Sequence, residues 1–225
     1  MKKLRLVFAA AIAITTFAAS AQINQTPITG NGNQLVMPAS KASAAQGSMY
    51  ANETFLPAKL SNNATTVLVR YNAYSDYFEM NNPQDQQVKV LPKQPGVTIT
   101  LVNNGAEYGF FTFSKDKKEV SGYLNIVSNN PKVKIFKREH IFLQPASTSQ
   151  NSYQAAKPAT YRREDDDFYV QINEGPIEYF SNKKTFAKFV PAKSKEILDY
   201  IKQNNIELED AADLQKLADY TASLL

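Results

Sequence analysis

The densest group of chemistry-bearing side chains in this chain is Glu164-Asp165-Asp166-Asp167. Carboxylates at such short spacing can chelate calcium, and a separated pair can serve as acid and base on a glycosidic bond. The calcium-loop pattern, alternating Asp or Asn with Gly at its sixth position, is missing. Asp also favours turns, because its carboxylate bonds backbone close to its own position. A solvated hairpin tip between two strands is the expected setting. If a carboxylate hydrolase were present, Asp165 and Asp167 would be its best-placed acids.

His140, the single histidine, stands in Lys134-Ile135-Phe136-Lys137-Arg138-Glu139-His140-Ile141. A general base there would need an orienting partner, and Glu139 is badly placed, since adjacent strand residues point to opposite faces. One histidine cannot make a multi-histidine zinc site within a monomer. The chain has no cysteine, which removes thiol nucleophiles and thiolate metal ligands together. Phe110, Phe111, Phe113, Tyr71, Tyr74, Tyr77, Phe78, Tyr161, Phe168 and Tyr169 could stack on sugar rings, but aromatics are also what strand cores are made of. There is no Trp to favour a sugar platform. Lys132, Lys134, Lys137 and Arg138 could meet anionic headgroups or glycan, yet the intervening Val133 and Ile135 describe a strand with one wet face. No G-x-S-x-G, P-loop, dinucleotide, H-E-x-x-H or S-x-x-K motif occurs. No catalytic, cofactor-binding or metal-binding residue is therefore assigned, and the balance is against an enzyme.

The elements that must carry these residues are short strands. Residues 66–71, 77–80, 87–91, 97–102, 107–113, 123–128, 132–143, 160–163, 168–172 and 177–180 read as apolar or alternating runs bounded by turn residues. Asn103-Asn104-Gly105 between two such runs is the strongest hairpin signal. Gln94-Pro95-Gly96-Val97 has Pro and Gly where a type II turn needs them. From residue 181 the period becomes helical: Ser181 is a candidate cap, Pro191 suits a first turn, and Asp210 caps a stripe of Leu214, Leu217 and Leu224. The fold class is α+β, an antiparallel β-meander followed by two to three short C-terminal helices. Whether the sheet stays open, stacks as a sandwich or closes as a barrel is not readable.

The N-terminus is a different kind of sequence. Lys2, Lys3 and Arg5 precede an apolar run from Leu6 to Ala19 that ends in Ala19-Ser20-Ala21, the small-x-small pattern of a cleaved signal peptide. The run falls short of the roughly 20 residues that cross hydrocarbon, so no transmembrane segment is expected after cleavage before Gln22. No cysteine at the cut could carry a lipid. Removing Lys2, Lys3 and Arg5 from 25 Lys+Arg leaves 22 against 21 Asp+Glu. That near-neutral charge gives no electrostatic case for nucleic acid. The expected organisation is a signal peptide over 1–21, a flexible polar leader over 22–49, an antiparallel β domain over 50–180 and a helical appendage over 181–225.

Arg70-Tyr71-Asn72-Ala73-Tyr74-Ser75-Asp76, Lys157-Pro158-Ala159-Thr160-Tyr161, Lys195-Glu196-Ile197-Leu198-Asp199-Tyr200-Ile201-Lys202 and Asp213-Leu214-Gln215-Lys216-Leu217-Ala218-Asp219-Tyr220 follow one another in an order that resembles a group of uncharacterised exported proteins of Gram-negative bacteria. The resemblance implies a β-then-helix layout and export to the periplasm or beyond. It implies no activity, ligand or site residue. Together these features describe a secreted cell-envelope protein that binds another envelope protein or a surface polymer without catalysis and without a cofactor. The alternative is a carboxylate-dependent, glycan-active hydrolase. The oligomeric state is not readable.

Overall fold

The computed structural model describes residues 35–36, 45–82, 87–148 and 156–225. The proposed signal peptide, and the leader apart from residues 35–36 and 45–49, lie outside the described residues. Among the described residues, strands are followed by helices, as the α+β class requires. The strands are β1 Leu35–Val36, β2 Leu56–Leu60, β3 Asn63–Asn72, β4 Tyr77–Asn82, β5 Gln87–Val90, β6 Thr98–Leu101 and β7 Glu107–Lys115. They continue as β8 Lys118–Asn129, β9 Val133–Arg138, β10 Ile141–Gln144, β11 Thr160–Arg163, β12 Asp167–Ile172 and β13 Glu178–Phe180. The helices are α1 Lys183–Ala187, α2 Ser194–Gln203 and α3 Ala211–Ser223.

Sheet closure, which the sequence left open, comes from two links between distant strands and one between the consecutive β12 and β13. β9 pairs with β12, β12 with β13, and β13 with β7, which is already joined to β9 through β8. Strands β7, β8, β9, β12 and β13 therefore form a closed ring of five. The last link is parallel, with Glu178 opposite Ser114 and the Ser114 N–H donating to Ile177 O at 2.8 Å. Phe113, Leu124, Phe136, Tyr169 and Ile177 fill the ring. Phe113 and Tyr169 meet edge to face at 4.7 Å, a favoured aromatic geometry.

From the other part of its edge, β7 continues into β6, β2, β3, β4, β5 and β1. This sheet curls over a second core that includes Tyr71, Phe78, Ile99, Tyr108 and Tyr123. Side chains alternate across a strand, and on β7 both sets are apolar. Tyr108 and Phe110 serve the curled sheet, while Phe111 and Phe113 serve the ring. Large aromatic side chains on both faces of one strand are the signature of a wall with a core on each side. At the β3–β4 turn, Asp76 Oδ1 accepts from the Tyr123 N–H at 3.1 Å and from the Tyr71 hydroxyl at 2.8 Å. A side chain thus takes the place of a neighbouring strand on this stretch of β8. Gly122 makes room for it, because a Cβ there would lie 2.8 Å from Asp76 Oδ2.

A third core joins the helices to the outer faces of β9 and β12. Val133, Ile135, Phe168 and Val170 pack with Phe186, Ile197, Ile201, Leu214 and Leu217. α1 is capped by Asn182, one residue beyond the expected Ser181, in a reciprocal box with Thr185. Pro191 opens a short 3₁₀ turn that leads into α2. Asp210 caps α3 by accepting from the Asp213 N–H at 3.0 Å.

Several strand boundaries differ from the sequence expectation. Residues 132–143 divide into β9 and β10 on either side of Glu139-His140. β8 begins at Lys118 rather than near Tyr123, after a tight turn at Asp116 and Lys117 whose φ values are 52° and 62°. β2 went unread because it contains Pro57, which lies before the pairing with β6 starts at Ala58.

Candidate binding cleft

One row of side chains runs across the outer face of the ring. Tyr108 on β7 lies opposite Asn125 on β8, Asn125 opposite Lys137 on β9, and Lys137 opposite Phe168 on β12. The row starts in the core of the curled sheet at Tyr108 and ends in the helix-covered core at Phe168. Asn125 and Lys137, with Glu139 two residues further along the same face, fill the interval between those cores. They floor a cleft of about 410 Å³. Leu101, Asn104 and Ala106 form one side, and Leu208, Ala211 and Leu214 the other. A larger hollow of about 600 Å³ adjoins it through Phe168, Leu208 and Glu209 and is edged by the acidic run.

An ion-pair network ties the floor residues Lys137 and Glu139 to Arg163 and Asp166, which line the adjoining hollow. Glu139 Oε2 accepts from the Tyr108 hydroxyl at 2.8 Å, and Oε1 accepts from Arg163 at 2.9 Å. Arg163 also reaches Asp166 Oδ1 at 3.0 Å, and Lys137 Nζ lies 3.2 Å from Asp166 Oδ2. Burial, reinforced by the charge of Glu139, raises the Tyr108 phenol above its ordinary value. Burial works against the charge on Arg163, but its hydrogen bond to Glu139 and the charge of Asp166 outweigh that and hold its pKa above the usual value. Tyr108 is thereby held as the neutral phenol and Arg163 as the charged guanidinium.

The opposite face carries a second cluster at one end of the ring. Asp167 Oδ2 accepts from Lys115 Nζ at 2.6 Å, from His140 Nε2 at 2.8 Å and from the Tyr169 hydroxyl at 3.5 Å. Lys115 also lies over the Tyr179 ring, and Arg138 over the Phe113 ring. Burial would raise the Asp167 carboxyl, but the hydrogen bonds from His140 and Lys115 outweigh it and hold the pKa below the ordinary range. Such a carboxylate is unsuited to donate a proton near neutral pH. Among the described residues, no hydroxyl is hydrogen-bonded to the His140 ring.

These placements correct part of the sequence reading. Glu139 and His140 do point to opposite faces, but His140 has a carboxylate partner 27 residues on, in Asp167. The acidic run is not a hairpin tip. β11 pairs with β10 in a separate ribbon, and β12 pairs with β9 and β13, so the run connects two sheets. Glu164 and Asp165 are exposed, whereas Asp166 and Asp167 are half-buried and serve opposite faces. Among the basic residues, Lys137 lies on the cleft floor and Arg138 at the ring end, so alternation divides them.

Among the described residues, no group of three or more His, Asp or Glu side chains is arranged to hold a metal ion. No helix among the described residues is long and apolar enough to cross a membrane. No family model, no curated protein and no solved structure matches the chain.

Proposed function

We propose that this chain is an exported, non-enzymatic binding module of the bacterial cell envelope, and that its ligand enters the cleft between the curled sheet and α3. The observation that carries this reading is the state of the cleft floor. Glu139 and Lys137 on the floor are each held in an ion pair, with Arg163 and Asp166 of the adjoining hollow respectively. The site therefore offers donors and acceptors held in place on a floor flanked by Leu101, Ala106, Leu208 and Leu214, with Asn104 beside them. The ligand class is an envelope protein or a surface polymer.

The test passes envelope extract over the immobilised protein and over an Ala211→Trp variant. Ala211 is exposed at the start of α3 and lines the cleft, so an indole there obstructs the opening without entering the core. A component retained by the natural protein and lost by the variant, at unchanged melting temperature, supports the cleft. Equal retention by both sinks it. Release of soluble glycan fragments that Asp165→Asn or Asp167→Asn abolishes would establish the hydrolase reading instead.

A further inference from the structure

The outer edge of the curled sheet is covered by a very short piece of the chain's own N-terminal segment. β5 pairs with β4 over four residue pairs on one side. On the other side, Leu35 stands opposite Val90 and Val36 opposite Lys89, and this two-residue ladder is all of β1. An edge strand presents backbone N–H and C=O groups that template any extended segment of suitable register. A ladder this short contributes few hydrogen bonds, each only a modest net gain over bonding to water. Residues 37–44 separate β1 from the next described residue, Ala45. Eight residues reach up to about 27 Å when extended. An identical segment from another copy can make the same bonds in the same register, and exchange of an identical element is a low-cost route to a dimer.

We propose that β5 accepts Leu35–Val36 of a second copy, antiparallel and in the register seen within one chain, so that two molecules exchange β1 strands at high concentration. The inference is independent of the cleft. It concerns the opposite end of the sheet order, where β1 and β5 are the last strands.

Because the chain has no cysteine, single cysteines report the pairing cleanly. A Val36→Cys chain is mixed with a Lys89→Cys chain under a mild oxidant, and a Leu35→Cys chain with a Val90→Cys chain. Both pairs are used because antiparallel ladders alternate close and wide pairs. The control partner is Lys118→Cys, exposed at the β7–β8 turn. Exchange produces disulfide-linked heterodimers of at least one registered pair, several-fold above the control and rising with concentration. A double variant carrying both members of a pair, at low concentration, bridges within one chain and verifies the geometry. If that bridge forms while the mixed chains stay at the control level, exchange is overturned. If the bridge does not form, the pairing itself is wrong and the proposal falls with it.

Discussion

Asp167 shows how far a single side chain can depart from its sequence neighbours. It sits one residue from Asp166 and two from Asp165, yet it alone takes Lys115, His140 and Tyr169 together. Asp167→Asn removes the charge that these donors share and should cost about 1–3 kcal/mol. Asp165→Asn, at an exposed position, should change stability by less than about 0.5 kcal/mol. Urea unfolding of the two variants checks the contrast. The pH dependence follows from the lowered pKa of Asp167. Its contribution is fully present above the unfolded value, about 3.9, and is lost as pH falls through the folded value. The gap between the natural protein and Asp167→Asn should therefore narrow below about pH 4. The sequence showed that Glu139 could not orient His140, because alternation is local. It could not show Asp167 as the partner, because that contact depends on the β9–β12 register.

The hairpins and helices divide in the same way between what is local and what is not. Asn103-Asn104-Gly105 was readable because Gly105 takes a positive φ of 71°, which glycine adopts without strain. The Asp116-Lys117 turn has the same left-handed character without a glycine, so the start of β8 was missed. The Leu214 and Leu217 stripe on α3 was legible from its spacing, and both side chains are buried against Val133 and Ile135 in one core. A short helix draws most of its stability from such packing. Leu217→Ala should cost about 2–5 kcal/mol. Helical and sheet signals should be lost in a single transition, since the helices and strands β9 and β12 share one core. Separate melting of the helices by circular dichroism would refute the shared core.

Across the molecule, the β7–β8 hairpin is a wall common to two cores. Alternation along β7 distributes Tyr108 and Phe110 to one and Phe111 and Phe113 to the other. Damage to this wall should be felt on both sides. Leu124→Ala, on the ring side of β8, should cost about 2–5 kcal/mol. It should also accelerate amide exchange in β3 and β4 of the curled sheet as much as in β12. Protection lost in β12 alone would mean that the cores unfold separately. Ring closure was not legible in the sequence, because the β12–β9 and β13–β7 links join runs with no local mark of each other. For the same reason the cleft was invisible. Tyr108, Asn125 and Lys137 come from three strands and Glu139 from just past the end of β9, and only the register places them between two cores. The most direct measurement is photo-crosslinking in living cells, with a photoreactive residue at Ala211 on the cleft rim or at Lys117 on the β7–β8 turn. A binding cleft yields a discrete adduct from position 211 and none from 117. The same adduct from both positions, or no adduct from 211, would mean that the cleft is not where this protein meets its ligand.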